Sequence, residues 1–63
     1  MGINLKIARI KKGLSQGDVC KLTGIGRNTI SKLENGKGNP TMEVIIKLSK
    51  ALDTPPEELF FNN

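Results

Sequence analysis

Arg27, Asn28, Ser31 and Lys32 are hydrogen-bonding side chains that fall on what reads as the outer side of one short helix. An arginine guanidinium fits guanine O6 and N7 with two parallel hydrogen bonds, and an asparagine amide fits adenine N6 and N7 in the same way. Arg27 and Asn28 open the helix, and Lys32 follows about one turn later on the same side. Ser31 can reach a base or a phosphate. Ile30 and Leu33, three residues apart, share the opposite, inner face. The chemistry available is recognition of base edges by fixed donors.

Such a helix must be held at a set angle, and the surrounding residues read as the means. Residues 16–36 read as a helix, a tight turn and a second helix. Ser15 with Asp18 three residues on is a capping-box variant that starts the first of the pair. Val19, Cys20 and Thr23 then face inward, and Gly24 supplies the positive φ of the turn. Gly26 is the expected N-cap of a helix over 27–35, and Gly36 its stop. A first helix covers roughly 3–12, with Leu5, Ala8 and the stem of Lys12 on its stripe and one of Ile7 and Ile10 exposed; Gly13 ends it. Thr41 caps a fourth helix over about 42–52, where Val44, Leu48, Ala51 and Leu52 recur at helical spacing. Thr54-Pro55-Pro56-Glu57 reads as a second capping box with proline at the first helical position, opening a short fifth helix over 55–60. Strand signals are weak throughout. The expected fold is all-α: five short helices in one domain over 1–63.

Composition narrows the class of function. The chain has 63 residues, 37% hydrophobic and only 3% aromatic, so its single small core is aliphatic. One cysteine and no histidine leave no intramolecular disulfide and no Cys/His zinc site. The expected setting is cytoplasmic. No segment has the apolar length of a signal peptide core or a membrane span. No nucleophile–base pair and no phosphate-binding loop are present, so no catalytic residue, metal or cofactor is expected. Net charge is +4, split as +6 over residues 1–39 and −2 over 40–63, which suits one face to a polyanion.

In order and spacing, several motifs resemble the Cro/phage-repressor type of helix-turn-helix domain, the Xre-like family with the lambda-repressor-like DNA-binding fold. They are Lys12-Gly13-Leu14-Ser15-Gln16, then Gly24, then Asn28-Thr29-Ile30-Ser31-Lys32-Leu33-Glu34-Asn35-Gly36, then Asn39-Pro40-Thr41, then Leu48-Ser49-Lys50-Ala51-Leu52. The resemblance covers about residues 5–60. Two positions depart from it: Gly17 stands where a polar helix former is usual, and Gly26 where Ser or Thr usually caps the third helix.

The resemblance implies a sequence-specific transcriptional regulator, since most relatives bind operator DNA as dimers and regulate transcription; the expectation here is a repressor that binds a palindromic operator in double-stranded DNA as a homodimer, with the third helix in the major groove. Base contacts then fall to Arg27, Asn28, Lys32 and Ser31. Gln16, Thr29, Asn35, Lys37 and Lys6 are phosphate candidates, which set position and salt dependence; Gln16 can equally brace the recognition helix, and Thr29 can pack at its flank. Arg9 and Glu34 correspond to a buried ion pair in resembling domains. Cys20 reads as a small buried hydrophobe where relatives mostly carry alanine. Of the two aromatics, Phe60 is expected to close the core against the fourth helix, and Pro56, Glu58 and Phe61 are the dimer candidates. No small-molecule effector domain fits in a chain of this length. A protein-interaction or antitoxin-like module on the same fold is the alternative; such a module tolerates alanine at Arg27, Asn28 and Lys32 but loses its partner on changes near residues 56–61.

Overall fold

The computed structural model describes the backbone over residues 2–61 and side chains over residues 4–60. Four α-helices, α1 (Gly2–Lys11), α2 (Gln16–Thr23), α3 (Arg27–Glu34) and α4 (Met42–Leu52), are followed by a π-helical C-terminal turn, Glu57–Phe61. No strand occurs among the described residues. The second and third helices form the helix-turn-helix, and α1, α4 and the C-terminal turn close the core behind it.

Local chemistry sets each boundary. Gly13 (φ 72°) and Gly36 (φ 74°) take the left-handed conformation just past α1 and α3. Around each, two backbone bonds close a Schellman motif: Gly13 N–H to Ile10 O and Leu14 N–H to Arg9 O, then Gly36 N–H to Leu33 O and Lys37 N–H to Lys32 O. The same motif ends α4, but there the left-handed residue is Asp53, φ 50°. Ser15 and Asp18 form a full capping box: Ser15 Oγ accepts from the Asp18 N–H at 3.0 Å, and the Asp18 carboxylate accepts from the Ser15 N–H at 2.9 Å. The α2–α3 turn is clipped from inside. Buried Thr23 donates its hydroxyl to Val19 O (2.7 Å) and accepts from the Ile25 N–H (3.2 Å), while Gly24 bonds back to Cys20 O.

Among the described residues the core is aliphatic except for one ring. Leu5, Val19, Ile25, Ile30, Leu33, Ile45, Leu48, Leu52, Leu59 and Phe60 are buried together. Phe60 packs in the cluster that includes α4, whereas Ile25 and Leu59 carry no helical periodicity that marks them as core.

Several expectations need correction. Both Ile7 and Ile10 are exposed, not one of them. Lys12 is exposed as well and reaches Asp53 at 3.7 Å instead of lying on the α1 stripe. Cys20 is only half-buried, at the margin of the core. On α4 the buried set is Ile45, Leu48 and Leu52, with Val44 and Ala51 half-buried, because the inward face is turned toward Ile45 by about 50°, half of one residue's step, from the one expected. Thr54 caps nothing: its hydroxyl donates to Leu52 O at 2.9 Å and its carbonyl accepts from Ser49 Oγ at 2.7 Å, so it fastens the end of α4. The following segment lacks two proline N–H groups; Glu58 and Leu59 N–H both donate to Pro55 O, and the turn then widens into the π-helical Glu57–Phe61.

Candidate nucleic-acid interface

α3 has a sharp division of faces. Ile30, Leu33 and Glu34 are buried, while Arg27, Asn28, Thr29 and Lys32 are exposed and Ser31 is half-buried at the edge. Asn28 and Lys32, one turn apart, stand at the middle of the outward side, with Arg27 at the amino-terminal end. Gly26 begins the helix in extended conformation with no side-chain cap, which leaves the first N–H groups of α3 open toward the same side.

The inner side of α3 is tied to the scaffold by a charged network. Arg9 Nε donates to Glu34 Oε2 at 2.6 Å and Arg9 Nη2 to Glu34 Oε1 at 3.2 Å, a two-pronged pair from α1 to the last residue of α3. Arg9 Nη1 donates to Leu14 O at 2.8 Å, and Gln16 Nε2 to Glu34 Oε1 at 3.1 Å. Glu34 is therefore held from α1 and from the first residue of α2 at once. Its side chain is 4% exposed and that of Arg9 12%. Desolvating two charges costs roughly what their attraction returns, so the pair's main physical effect is to fix one orientation of α3.

Beside α3 runs a groove lined by Thr29, Lys32, Lys37, Asn39 and Thr41, among others. Three residues singled out from the sequence, Thr29, Lys32 and Lys37, are thus brought together next to the start of α4, where Thr41 Oγ1 accepts from the Val44 N–H at 3.2 Å. The helix N-terminus and two ammonium groups make this end of the molecule attractive to an anion. Asn39 and Thr41 were not among the candidate contacts. Thr41 was legible as a cap, but only the tertiary fold sets it against Thr29. Asn35 is exposed beyond α3, and Lys6 is exposed on α1, where it lines none of this groove. Glu58 is exposed and faces α1 across a cleft shared with Ile7 and Lys11; Pro56 is half-buried; the Phe61 side chain lies outside the described residues.

Among the described residues no cluster of His, Cys, Asp and Glu could hold a metal ion, and no helix is long and apolar enough to cross a membrane. Among the described residues, Asp18 is the titratable group clearly displaced: the Ser15 backbone N–H, and then the Ser15 hydroxyl, hold its carboxyl below the ordinary carboxylate range.

Comparison with known proteins agrees with this geometry. The helix-turn-helix family matches residues 5–59. A protein of Archaeoglobus fulgidus described as an HTH-type transcriptional regulator is 33% identical over 60 residues, covering 95% of this chain and 86% of that protein. A Methanococcus vannielii protein, described as an HTH-type transcriptional regulatory protein, is 39% identical over 54 residues, or 86% of this chain; this chain spans only 16% of that protein's length. Among solved structures, the restriction-modification controller protein C.AhdI from Aeromonas hydrophila superposes with a TM-score of 0.85 at 41% identity, covering 94% of this chain and 89% of that one. With its division of faces on α3 and this agreement along nearly its whole length, the chain belongs to the helix-turn-helix family, in the Cro/phage-repressor, Xre-like group.

Proposed function

We propose that this chain regulates transcription by binding a palindromic DNA operator as a homodimer, with α3 of each subunit in the major groove, and that it represses by covering a promoter. The observation that carries the reading is the outward row of Arg27, Asn28 and Lys32 on a helix whose inward side is locked by Arg9, Glu34 and Gln16. Preorganised donors lose little freedom on meeting base edges, so their bonds contribute to discrimination between sequences.

Arg27 and Asn28 enter first and meet base edges, Lys32 reaches a base deeper along the groove, and Ser31, at the edge of the row, touches a base or the adjoining phosphate. Thr29, Lys37 and Asn35 hold the phosphate backbone on one flank. Gln16 contributes on the other flank while its amide keeps Glu34 in place, and Lys6 adds to the electrostatic attraction. These phosphate contacts set register and salt dependence without carrying sequence information. Pro56, Glu58 and Phe61 are the sequence-based candidates for the contact between subunits. The likeness to a restriction-modification controller protein supports a regulatory role.

The test is selection of sites from random duplex DNA by the purified chain at about 0.15 M salt, where charges beyond about 8 Å are screened. The expected outcome is enrichment of an inverted repeat with half-sites about one helical turn, roughly 34 Å, apart. Weak binding with no enriched sequence and a strong salt dependence overturns the reading and favours a protein-interaction module.

A further inference from the structure

The end of the recognition helix carries a reactive pair that DNA reading does not use. Asn35 is followed by Gly36, whereas Asn4 precedes Leu5, Asn28 precedes Thr29 and Asn39 precedes Pro40. An asparagine side-chain carbonyl lies within reach of the next residue's backbone nitrogen, and the two can close a five-membered ring. A side chain on the following residue crowds that closure, most of all a β-branched one such as Thr29. Proline has no N–H to give up. Glycine leaves the nitrogen open to approach. Asn35 is also exposed to water, and its side-chain amide has no hydrogen-bond partner among the described residues.

The fold holds this pair in an unreactive shape. Asn35 has φ −90° and ψ 7°. Ring closure needs Cβ and the Gly36 nitrogen almost eclipsed about the Cα–C bond, and at this ψ they are turned well apart. The Gly36 N–H is engaged as well: it donates to Leu33 O at 3.1 Å, while the Lys37 N–H donates to Lys32 O at 2.8 Å. The reaction therefore waits on opening of this last turn. Local openings of that kind need the least free energy at helix ends with few buried contacts.

We propose that Asn35–Gly36 is a spontaneous modification site, which inactivates the recognition helix when DNA does not cover it. Once the turn opens, hydroxide takes the Gly36 amide proton and the nitrogen attacks Asn35 Cγ. The N–Cγ bond forms, the Cγ–Nδ2 bond breaks, and the amide nitrogen leaves as ammonia with one proton returned from water. Water then opens the succinimide. Breaking the new N–Cγ bond gives aspartate; breaking the original main-chain N–C bond gives isoaspartate, with one more methylene in the main chain. Either product sets a carboxylate at the carboxy-terminal end of α3, where the helix dipole disfavours negative charge. That carboxylate stands where the proposed function has Asn35 hold a phosphate. Isoaspartate also lengthens the chain next to Glu34, whose place depends on Arg9 and Gln16. The effect on binding rests on the DNA-reading proposal; the modification itself belongs to the free chain.

The experiment keeps the purified full chain at mildly alkaline pH for several days and maps its peptides by mass spectrometry. Conversion of amide to acid is expected at Asn35, as both aspartate and isoaspartate, with Asn4, Asn28 and Asn39 intact. Urea speeds it by opening the turn. Excess mixed-sequence duplex DNA at about 50 mM salt, where phosphate contacts are strong, slows it. A chain that keeps Asn35 intact while another of these asparagines converts overturns the site, and so does one whose Asn35 survives even in urea. Equal rates with and without bound duplex overturn the protection by DNA. Asn35→Asp is expected to fold, by circular dichroism, and to bind the duplex about tenfold more weakly; parent affinity in this variant overturns the inactivation. Asn35→Gln closes such a ring far less readily and holds its starting affinity through the incubation, while the parent loses affinity. A fresh parent that binds no duplex removes the DNA-reading proposal and leaves the mapping of the free chain to decide the site.

Discussion

Glu34, the last residue of the recognition helix, is gripped by the guanidinium of Arg9 through both carboxylate oxygens, at 2.6 and 3.2 Å. Truncating one member leaves the other buried and unpaired, which costs roughly 3–5 kcal/mol. A core of this size supplies only about as much. Glu34→Ala is therefore expected to unfold the domain at 25 °C, seen as loss of helical circular dichroism. Arg9→Met combined with Glu34→Leu removes both charges and keeps the fold, but weakens DNA binding because Gln16 loses its acceptor and α3 its tether. If urea denaturation finds Glu34→Ala as stable as the parent, the pair is not what holds α3.

Base and phosphate contacts separate by their signatures. Arg27→Ala is expected to cost about 1–3 kcal/mol on the selected operator and to relax preference at one base pair. Lys37→Ala weakens all sequences alike and lowers the salt slope by about 1. Binding titrations at several salt concentrations, on the operator and on a scrambled duplex, distinguish the two. An Arg27→Ala chain with the parent's preference at every position removes Arg27 from base reading.

Gly17 sits inside α2 with ordinary helical φ, and a Cβ there meets only Ser15 Oγ, at 3.7 Å. Gly17→Ala should stabilise by roughly 0.5–1 kcal/mol and raise Tm by about 4–8 °C per kcal/mol for a domain of this size. Gly24, at φ 74°, is the opposite case. Gly24→Ala forces a side chain into the left-handed region and should destabilise by about 1–2 kcal/mol.

Asp53 occupies the position that Gly13 and Gly36 hold at the ends of α1 and α3. Its exposed bridge to Lys12 at 3.7 Å contributes little. Asp53→Gly should therefore raise Tm, by relief of about 1–2 kcal/mol of backbone cost less the larger entropy that glycine retains when unfolded. A lower Tm assigns the Lys12 pair more weight than its exposure suggests.

Acid is expected to loosen the start of α2. Asp18 titrates lower in the folded chain than in the unfolded one, so its contribution is present above the unfolded value of about 3.9 and disappears as pH falls through the folded value. Protonation removes the acceptor for the Ser15 N–H. The stability difference between parent and Asp18→Asn should be constant at neutral pH and shrink below about pH 4. A difference that persists unchanged at pH 2 contradicts the assignment.

The sequence was most legible where a single residue type has a single conformational use. Ser15 with Asp18, Gly24, Gly36 and Thr41 mark boundaries that the structure reproduces within a residue, because caps and left-handed turns depend on neighbours along the chain. The face of α4 was not legible in the same way. With Val44 and Ile45 adjacent, either one completes a face that holds Leu48 and Leu52, and only packing against α2 and the core chooses Ile45. Ile25 and Leu59 were missed for a related reason: Ile25 follows a turn, and Leu59 lies in a five-residue helical turn, so neither sits in a stretch long enough to show a period. Thr54 misled because the spacing of a cap was present, yet the carbonyl of Leu52 was the nearer partner. At the candidate interface, the row on α3 could be read from one helix alone. The groove joining Thr29 to Thr41 could not, since it is made by two elements separated by a loop.

The position of Glu34 has a consequence for error. A slide of α3 by one residue moves it 1.5 Å and turns it by about 100°. That motion carries Glu34 away from Arg9 and Gln16, and in the same act replaces Asn28 and Lys32 on the outward side with other letters of the chain. A misregistered recognition helix is therefore a helix with a stranded buried charge, and it fails to fold before it can present a different message. Mistakes in assembly and mistakes in reading become one class of mistake, and the stability of the domain proofreads its own alphabet.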